Sequence, residues 1–115
     1  MKKFGQSLDK IVAGADQLKQ LRKQDLQVGD LVIITTRNSE YRIRTLEDGF
    51  YQVSGGWFVR QGMSPIKLKI AGCTWGGSII KADVVAACGL CLEFGNRLIT
   101  SPIKKFWVVP YSAHN

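Results

Sequence analysis

The chain has little of the residue types that usually identify a catalytic or metal site. It contains one histidine, His114, at the next-to-last position, where no third group is expected to orient it as a base for a nucleophile. No segment approaches the roughly 20 apolar residues of a membrane span. Polar residues interrupt the start of the chain before a signal-peptide core could form, so we expect a cytoplasmic protein.

Cysteine is also scarce, with three residues in 115, an odd number that argues against a disulfide framework. Cys88 and Cys91 have the spacing of a zinc or redox pair. Residues three apart in a strand point to opposite faces, however, and only Cys73 and His114 remain as further nitrogen or sulfur ligands. The sequence therefore predicts buried structural thiols, with no metal and no cofactor.

Acidic residues are few, nine against sixteen Lys and Arg, which gives a net charge of +7. Residues 60–82 contain no acidic side chain at all. Asp83 and Glu93 are the one carboxylate pair that could face a cleft, but nothing in the sequence fixes their separation. We therefore expect a protein that is not an enzyme, and an acid and base pair at Asp83 and Glu93 is the unfavoured alternative.

From Ser7 to about Lys23, apolar residues recur at three- and four-residue spacing, which predicts an amphipathic helix. We expect the apolar stripe to pack on the protein's own sheet. The alternative is a partner surface, used for self-association or for another protein. The stripe consists of Leu8, Ile11, Val12, Ala15, Leu18 and Leu21.

The segment 29–58 reads as consecutive short strands separated by turns. The apolar run 31–36 predicts a central strand. After it, Tyr41, Ile43 and Thr45 alternate with Arg42 and Arg44, which places the arginines on the solvent face. An Asp-Gly turn at 47–49 leads to the next strand, and residues 57–59 predict another short extended piece.

Later segments continue this pattern. Ile66, Leu68 and Ile70 alternate with Lys67 and Lys69, so the lysines also belong on the solvent face. The glycine-rich stretch 71–78 lacks the spacing of a phosphate-binding loop. It predicts a bend or bulge with Trp75 folded over the core, and a ligand loop is the alternative. Residues 83–89 favour a helical turn, followed by strands to Val109.

Together these patterns predict a mainly β, single-domain barrel or sandwich of about six to eight short, mostly antiparallel strands with one N-terminal amphipathic helix. Residues 1–28 would form the helix and linker, 29–110 the β domain and 111–115 a tail.

We expect a small, non-enzymatic binding or protein-interaction module, with an unknown protein partner or self-association. The alternative is binding of nucleic acid, single-stranded or another polyanion, through an outward basic face with exposed aromatic rings for stacking. The residues expected to bind are Arg42, Arg44, Lys67, Lys69, Trp57 and Trp75.

Overall fold

The computed structural model describes residues 20–75 and 78–111, and about half of them, 53%, lie in strands. The predicted mainly β class is therefore confirmed, with more strands than the six to eight expected. The strands are β1 (Gln20–Arg22), β2 (Leu31–Thr36), β3 (Glu40–Thr45), β4 (Tyr51–Gly55), β5 (Ile66–Leu68), β6 (Ile70–Trp75), β7 (Ser78–Lys81), β8 (Val84–Ala87), β9 (Cys91–Phe94) and β10 (Ile103–Val109). A short α-helix, α1 (Gly56–Arg60), follows β4, and single 3-10 turns lie at Lys23–Asp25 and Glu47–Gly49.

The strands form a five-stranded sheet of order β10-β2-β3-β4-β5, a three-stranded sheet β9-β6-β7 and a two-stranded pair β1-β8. All of these pairs are antiparallel. The sheets do not close into a barrel, so that part of the prediction is wrong. The physical reason lies after Leu68, where the apparently continuous strand divides and β6 begins a different sheet.

A single hydrophobic core joins the three sheets. Val32, Ile34 and Ile43 are completely or almost completely buried on the inner face of the five-stranded sheet. The Phe94 ring, on the three-stranded sheet, lies 5.2 Å from the Phe58 ring and 5.8 Å from the Tyr41 ring. These aromatic contacts hold the sheets together around one interior.

Residues 56–60 form a helix, and the extended piece predicted at 57–59 is wrong. Gly55 and Gly56 both have positive φ, at 97° and 53°, which turns the chain away from the direction of β4. The turn places Phe58 in the core with no exposed surface. A side chain at Gly55 would collide with the backbone oxygen of Glu40 on the adjacent strand.

The end of the predicted N-terminal helix also differs. Gln20–Arg22 is a strand that pairs with β8, so Leu21 lies opposite Ala86 and is buried. The remainder of the predicted helix lies outside the described residues. The helical turn predicted at 83–89 is wrong for a related reason, because all four residues of β8 are buried and show no alternation by which a strand could be recognised.

Residues 71–75 of the glycine-rich stretch lie in β6, and Ser78 begins β7. The predicted irregularity is present within β6. The register of β6 with β7 shifts between Cys73 and Thr74, next to Gly72, whose φ is 140°. Trp75 is 69% exposed, so the prediction that its ring covers the core is wrong. None of the helices formed by the described residues has the length and apolar character needed to cross a membrane.

Candidate functional site

The two arginines of β3 lie on the outer face of the five-stranded sheet. Tyr41, Ile43 and Thr45 are buried, whereas Arg42 is exposed and Arg44 is partly exposed. The alternation predicted for this strand is therefore confirmed. The Arg44 guanidinium donates a hydrogen bond from Nη1 to the backbone oxygen of Gly29 at 2.9 Å, which holds this side chain against the sheet.

The strand register brings the lysines to the same face. Arg44 lies opposite Gln52, and Gln52 lies opposite Lys67, so these three residues form one row across β3, β4 and β5. Because neighbouring strands are about 4.8 Å apart, the backbones of Arg44 and Lys67 are separated by about 10 Å. The Nζ atoms of Lys67 and Lys69 lie 4.7 Å and 5.2 Å from the centre of the Phe50 ring.

The C-terminal strand completes this face with residues that were not predicted as part of a site. Trp107 lies opposite Ile33, and Ile33 lies opposite Arg42. The Lys105 Nζ atom is 5.6 Å from the centre of the Trp107 ring. Phe106 and Val108 are buried, so the alternation along β10 was a signal in the sequence that Lys105 and Trp107 face outward.

We call the outer face of the five-stranded sheet the basic face, after its cations Arg42, Arg44, Lys67 and Lys105. Lys69, directly after β5, is counted with them because its ammonium group lies over the same Phe50 ring as that of Lys67. Glu40 is the acidic residue on the same face, in the row of Thr35 and Lys105. Within residues 20–75 and 78–111, none of the five cations has a carboxylate within 4 Å. The described part of the chain therefore does not neutralise these charges by ion pairing, and they produce a positive potential over the face.

A groove with a volume of about 300 Å³ lies in the basic face. Its lining combines two guanidinium groups with neutral polar and apolar side chains, so that an anionic ligand could contact charge and apolar surface together. The lining residues are Leu31, Arg42, Arg44, Gln52, Ser54 and Pro65.

The two predicted tryptophans do not line this groove. The Trp57 ring packs edge-on against Phe58, with their centres 5.6 Å apart, and lines a separate cavity of about 190 Å³ with Arg60 and Leu98. Trp75 lies at the end of β6 in the three-stranded sheet. The structure thus brings the four predicted cations together and leaves the two predicted rings elsewhere.

The predicted partner helix can be located at one residue only. Leu21 is 7% exposed and belongs to the hydrophobic core, where it is not accessible to a partner. Leu8, Ile11, Val12, Ala15 and Leu18 lie outside the described residues, and their role as a partner surface stays a prediction.

The prediction that the thiols are buried is confirmed for Cys73 and is wrong for Cys88, which is exposed. Cys73 is buried, and this burial raises the pKa of its thiol to about 12. Cys91 is partly exposed, and Cys88 is exposed, with its thiol donating to the backbone oxygen of Lys104 at 3.4 Å. The described residues contain no group of three His, Cys, Asp or Glu side chains that could hold a metal ion.

The two carboxylates considered for acid and base catalysis lie on different elements. Asp83, in the turn before β8, forms an exposed ion pair with Arg22 at 3.9 Å. Glu93 lies on β9, opposite Gly72 of β6. Neither carboxylate lines the groove of the basic face or the Trp57 cavity.

Comparison with known proteins adds no functional assignment to this geometry. No protein-family model matches the chain, and no match was found among curated proteins or solved structures.

Proposed function

We propose that this chain is a small, non-enzymatic binding module whose basic face binds the phosphate backbone of a nucleic acid. The observation that carries the proposal is the register of β3, β4 and β5, which aligns Arg44, Gln52 and Lys67 in one row beside Arg42. Arginine on β3, lysine on β5 and, from the far end of the described chain, Lys105 on β10 contribute to a single surface. This convergence favours a polyanion over the scattered surface charge of an ordinary soluble domain.

The chemistry of the face fits phosphate oxygens. Guanidinium groups bind phosphate through two parallel hydrogen bonds, and ammonium groups act as mobile point charges. The cation–π contacts of Lys67 and Lys69 with Phe50 keep both ammonium groups above the sheet. A bound phosphate chain would release counterions, so its affinity should fall steeply as salt concentration rises.

The expectation of a protein partner remains the second candidate. It depends on the stripe from Leu8 to Leu18, which lies outside the described residues. The basic face consists of described side chains, and we therefore favour phosphate binding over a protein partner.

The test compares two charge reversals in the full chain. Arg42→Glu reverses an exposed cation on the basic face, and Lys81→Glu reverses an exposed cation on the three-stranded sheet. Both variants lower the net charge by the same amount, so a difference in their affinities depends on where the reversed charge lies on the surface. We expect Arg42→Glu to weaken binding of a fluorescent oligonucleotide about tenfold, a change of about 1.4 kcal/mol, and Lys81→Glu to leave binding nearly unchanged.

The measurement is fluorescence anisotropy over a range of salt concentrations, with thermal unfolding of each variant as the control for folding. The proposal requires binding at low ionic strength that weakens with salt. Absence of binding at low ionic strength, or equal weakening by the two variants, would contradict it.

A further inference from the structure

The basic face has a second half whose chemistry differs from that of the cations. Leu31, Trp107 and Val109 are partly exposed on β2 and β10, around the buried Ile33 and directly beside Arg42 and Arg44 on β3. Trp107 remains partly exposed, and its ring points to the outer face. Phosphate groups are bound by charge and hydrogen bonds, so phosphate binding alone does not account for the apolar half of this face.

We infer that the ligand of the basic face is single-stranded nucleic acid and that a base stacks on the ring of Trp107. The inference rests on the proposed function and names the substrate class of that site. In a duplex the flat faces of the bases are stacked on one another inside the helix. In a single strand they are exposed and stack on aromatic side chains while the phosphates lie on basic residues.

The strand register places one binding group for the base and another for the phosphate of a nucleotide. One row across β10, β2, β3 and β4 contains, in order, Trp107, the buried Ile33, Arg42 and Ser54. An aromatic ring and a cation thus lie in the same row, two strands apart. Strand spacing puts the backbones of Trp107 and Arg42 about 10 Å apart, two strands across the sheet. A base on the indole ring can therefore have its phosphate at the guanidinium group.

The Nζ atom of Lys105 lies 5.6 Å from the centre of the Trp107 ring. A base that stacks on this ring must therefore displace the ammonium group of Lys105. Lysine is flexible and strongly hydrated, and an exposed cation–π contact is weaker than the stacking of a base on an aromatic ring. The displaced ammonium group stays close enough to bind a phosphate of the same strand. Lys105 thus protects the apolar ring in the free protein and serves as a cation in the complex.

The test uses the full chain and three labelled probes of about 12 nucleotides, a length that a small β domain can cover. The probes are an oligothymidine strand, an abasic strand with the same number of phosphates, and a duplex of equal length. We expect the oligothymidine strand to bind about tenfold more tightly than the abasic strand, with quenching of tryptophan fluorescence.

The variants are Trp107→Ala, Trp107→Phe and the control Trp75→Ala, which removes an exposed ring from the three-stranded sheet. We expect Trp107→Ala to lower the affinity for oligothymidine about tenfold, because the substitution removes the stacking ring. The salt dependence of binding should not change, because the cations are retained. Trp107→Phe should retain most of the affinity, and Trp75→Ala all of it. The abasic probe tests the inference on the unmodified protein even if Trp107→Ala fails to fold.

The outcomes separate the inference from the proposed function. Equal affinity for the duplex, the abasic strand and oligothymidine, with retained dependence on Arg42, would overturn the stacking inference and leave phosphate binding intact. Failure of all three probes to bind at low ionic strength would overturn both. Equal losses in Trp107→Ala and Trp75→Ala would also exclude a specific role for Trp107.

Discussion

At the scale of single residues, Cys73 shows how strongly this interior changes side-chain chemistry. Its thiol is fully buried on β6, and this burial raises its pKa from the ordinary 9.0 to about 12. A hydrogen bond with the backbone of Ala87 lowers the pKa, and the nearby Cys91 raises it, by smaller amounts. The thiolate, which is the nucleophilic form, is therefore suppressed in the folded protein.

This shift predicts a pH dependence of stability. Because the folded-state pKa is raised, the stabilisation is fully present below the unfolded value of 9.0 and is lost as the pH rises from there toward about 12. Between neutral pH and one pH unit above the unfolded-state pKa, we expect the free energy of unfolding of the unmodified protein to fall by about 1 kcal/mol more than that of Cys73→Ala. Urea unfolding at neutral and at alkaline pH measures the difference.

The comparison with Cys73→Ala removes the contribution of Tyr51, whose pKa burial also raises and which both proteins retain. Identical pH profiles of the two proteins would contradict the prediction. Alkylation offers an independent readout, in which the exposed Cys88 should react well before Cys73.

The residues of the candidate site could be predicted from the sequence where one strand contains the whole pattern. From Tyr41 to Thr45, the three buried residues alternate with two arginines, and the outward orientation of Arg42 and Arg44 follows directly. Trp107 could be assigned to the same face only through pairing of β10 with β2. That pairing joins distant parts of the chain, and the residue pattern within a single strand does not indicate which strand it pairs with.

At the scale of elements, β1 is one of the parts of the fold that the sequence pattern assigned wrongly. Leu21 continues the spacing of an amphipathic helix, yet it occupies a strand because its partner strand β8 is buried. The hairpin between β3 and β4 was predicted correctly. Its turn depends on local backbone chemistry, with positive φ at Asp48 (61°) and Gly49 (78°).

The role of β1 predicts different effects of two truncations. Removing residues 1–19 retains β1, whereas removing residues 1–24 also takes away Leu21 and leaves Val84–Ala87 without its strand partner. We expect the longer truncation to be less stable than the shorter one by at least about 2 kcal/mol, the value of burying one leucine side chain. Urea unfolding of the two truncated chains measures this difference, and equal midpoints would show that β1 does not stabilise the fold.

At the scale of the whole molecule, Asp30 links segments near both ends of the described chain. Its carboxylate accepts hydrogen bonds from the backbone N–H of Gln27 at 2.9 Å and of Tyr111 at 3.0 Å. The residue is only 9% exposed. Both backbone groups would lose their acceptor together if this carboxylate were removed.

We therefore expect Asp30→Ala to lower the free energy of unfolding by about 2 kcal/mol, because hydrogen bonds to a charged acceptor are among the stronger ones. Asp30→Asn keeps one acceptor oxygen and should lose less. Asp83→Ala is the matched control, since Asp83 is exposed and its ion pair with Arg22 contributes little. Thermal or urea unfolding of the three variants tests this, and equal effects of Asp30→Ala and Asp83→Ala would contradict it.

The strand order of the five-stranded sheet determines the order in which the parts of the basic face can form during synthesis. Strands β2 to β5 pair with their neighbours in sequence and can form from local hairpins, which fold rapidly. β10 joins β2 across most of the described chain, with Val109 opposite Leu31, and is synthesised after all of them. A nascent chain can thus present Arg42, Arg44 and Lys67 before it acquires Trp107, and the selectivity for single strands that we propose would arise only when β10 pairs with β2.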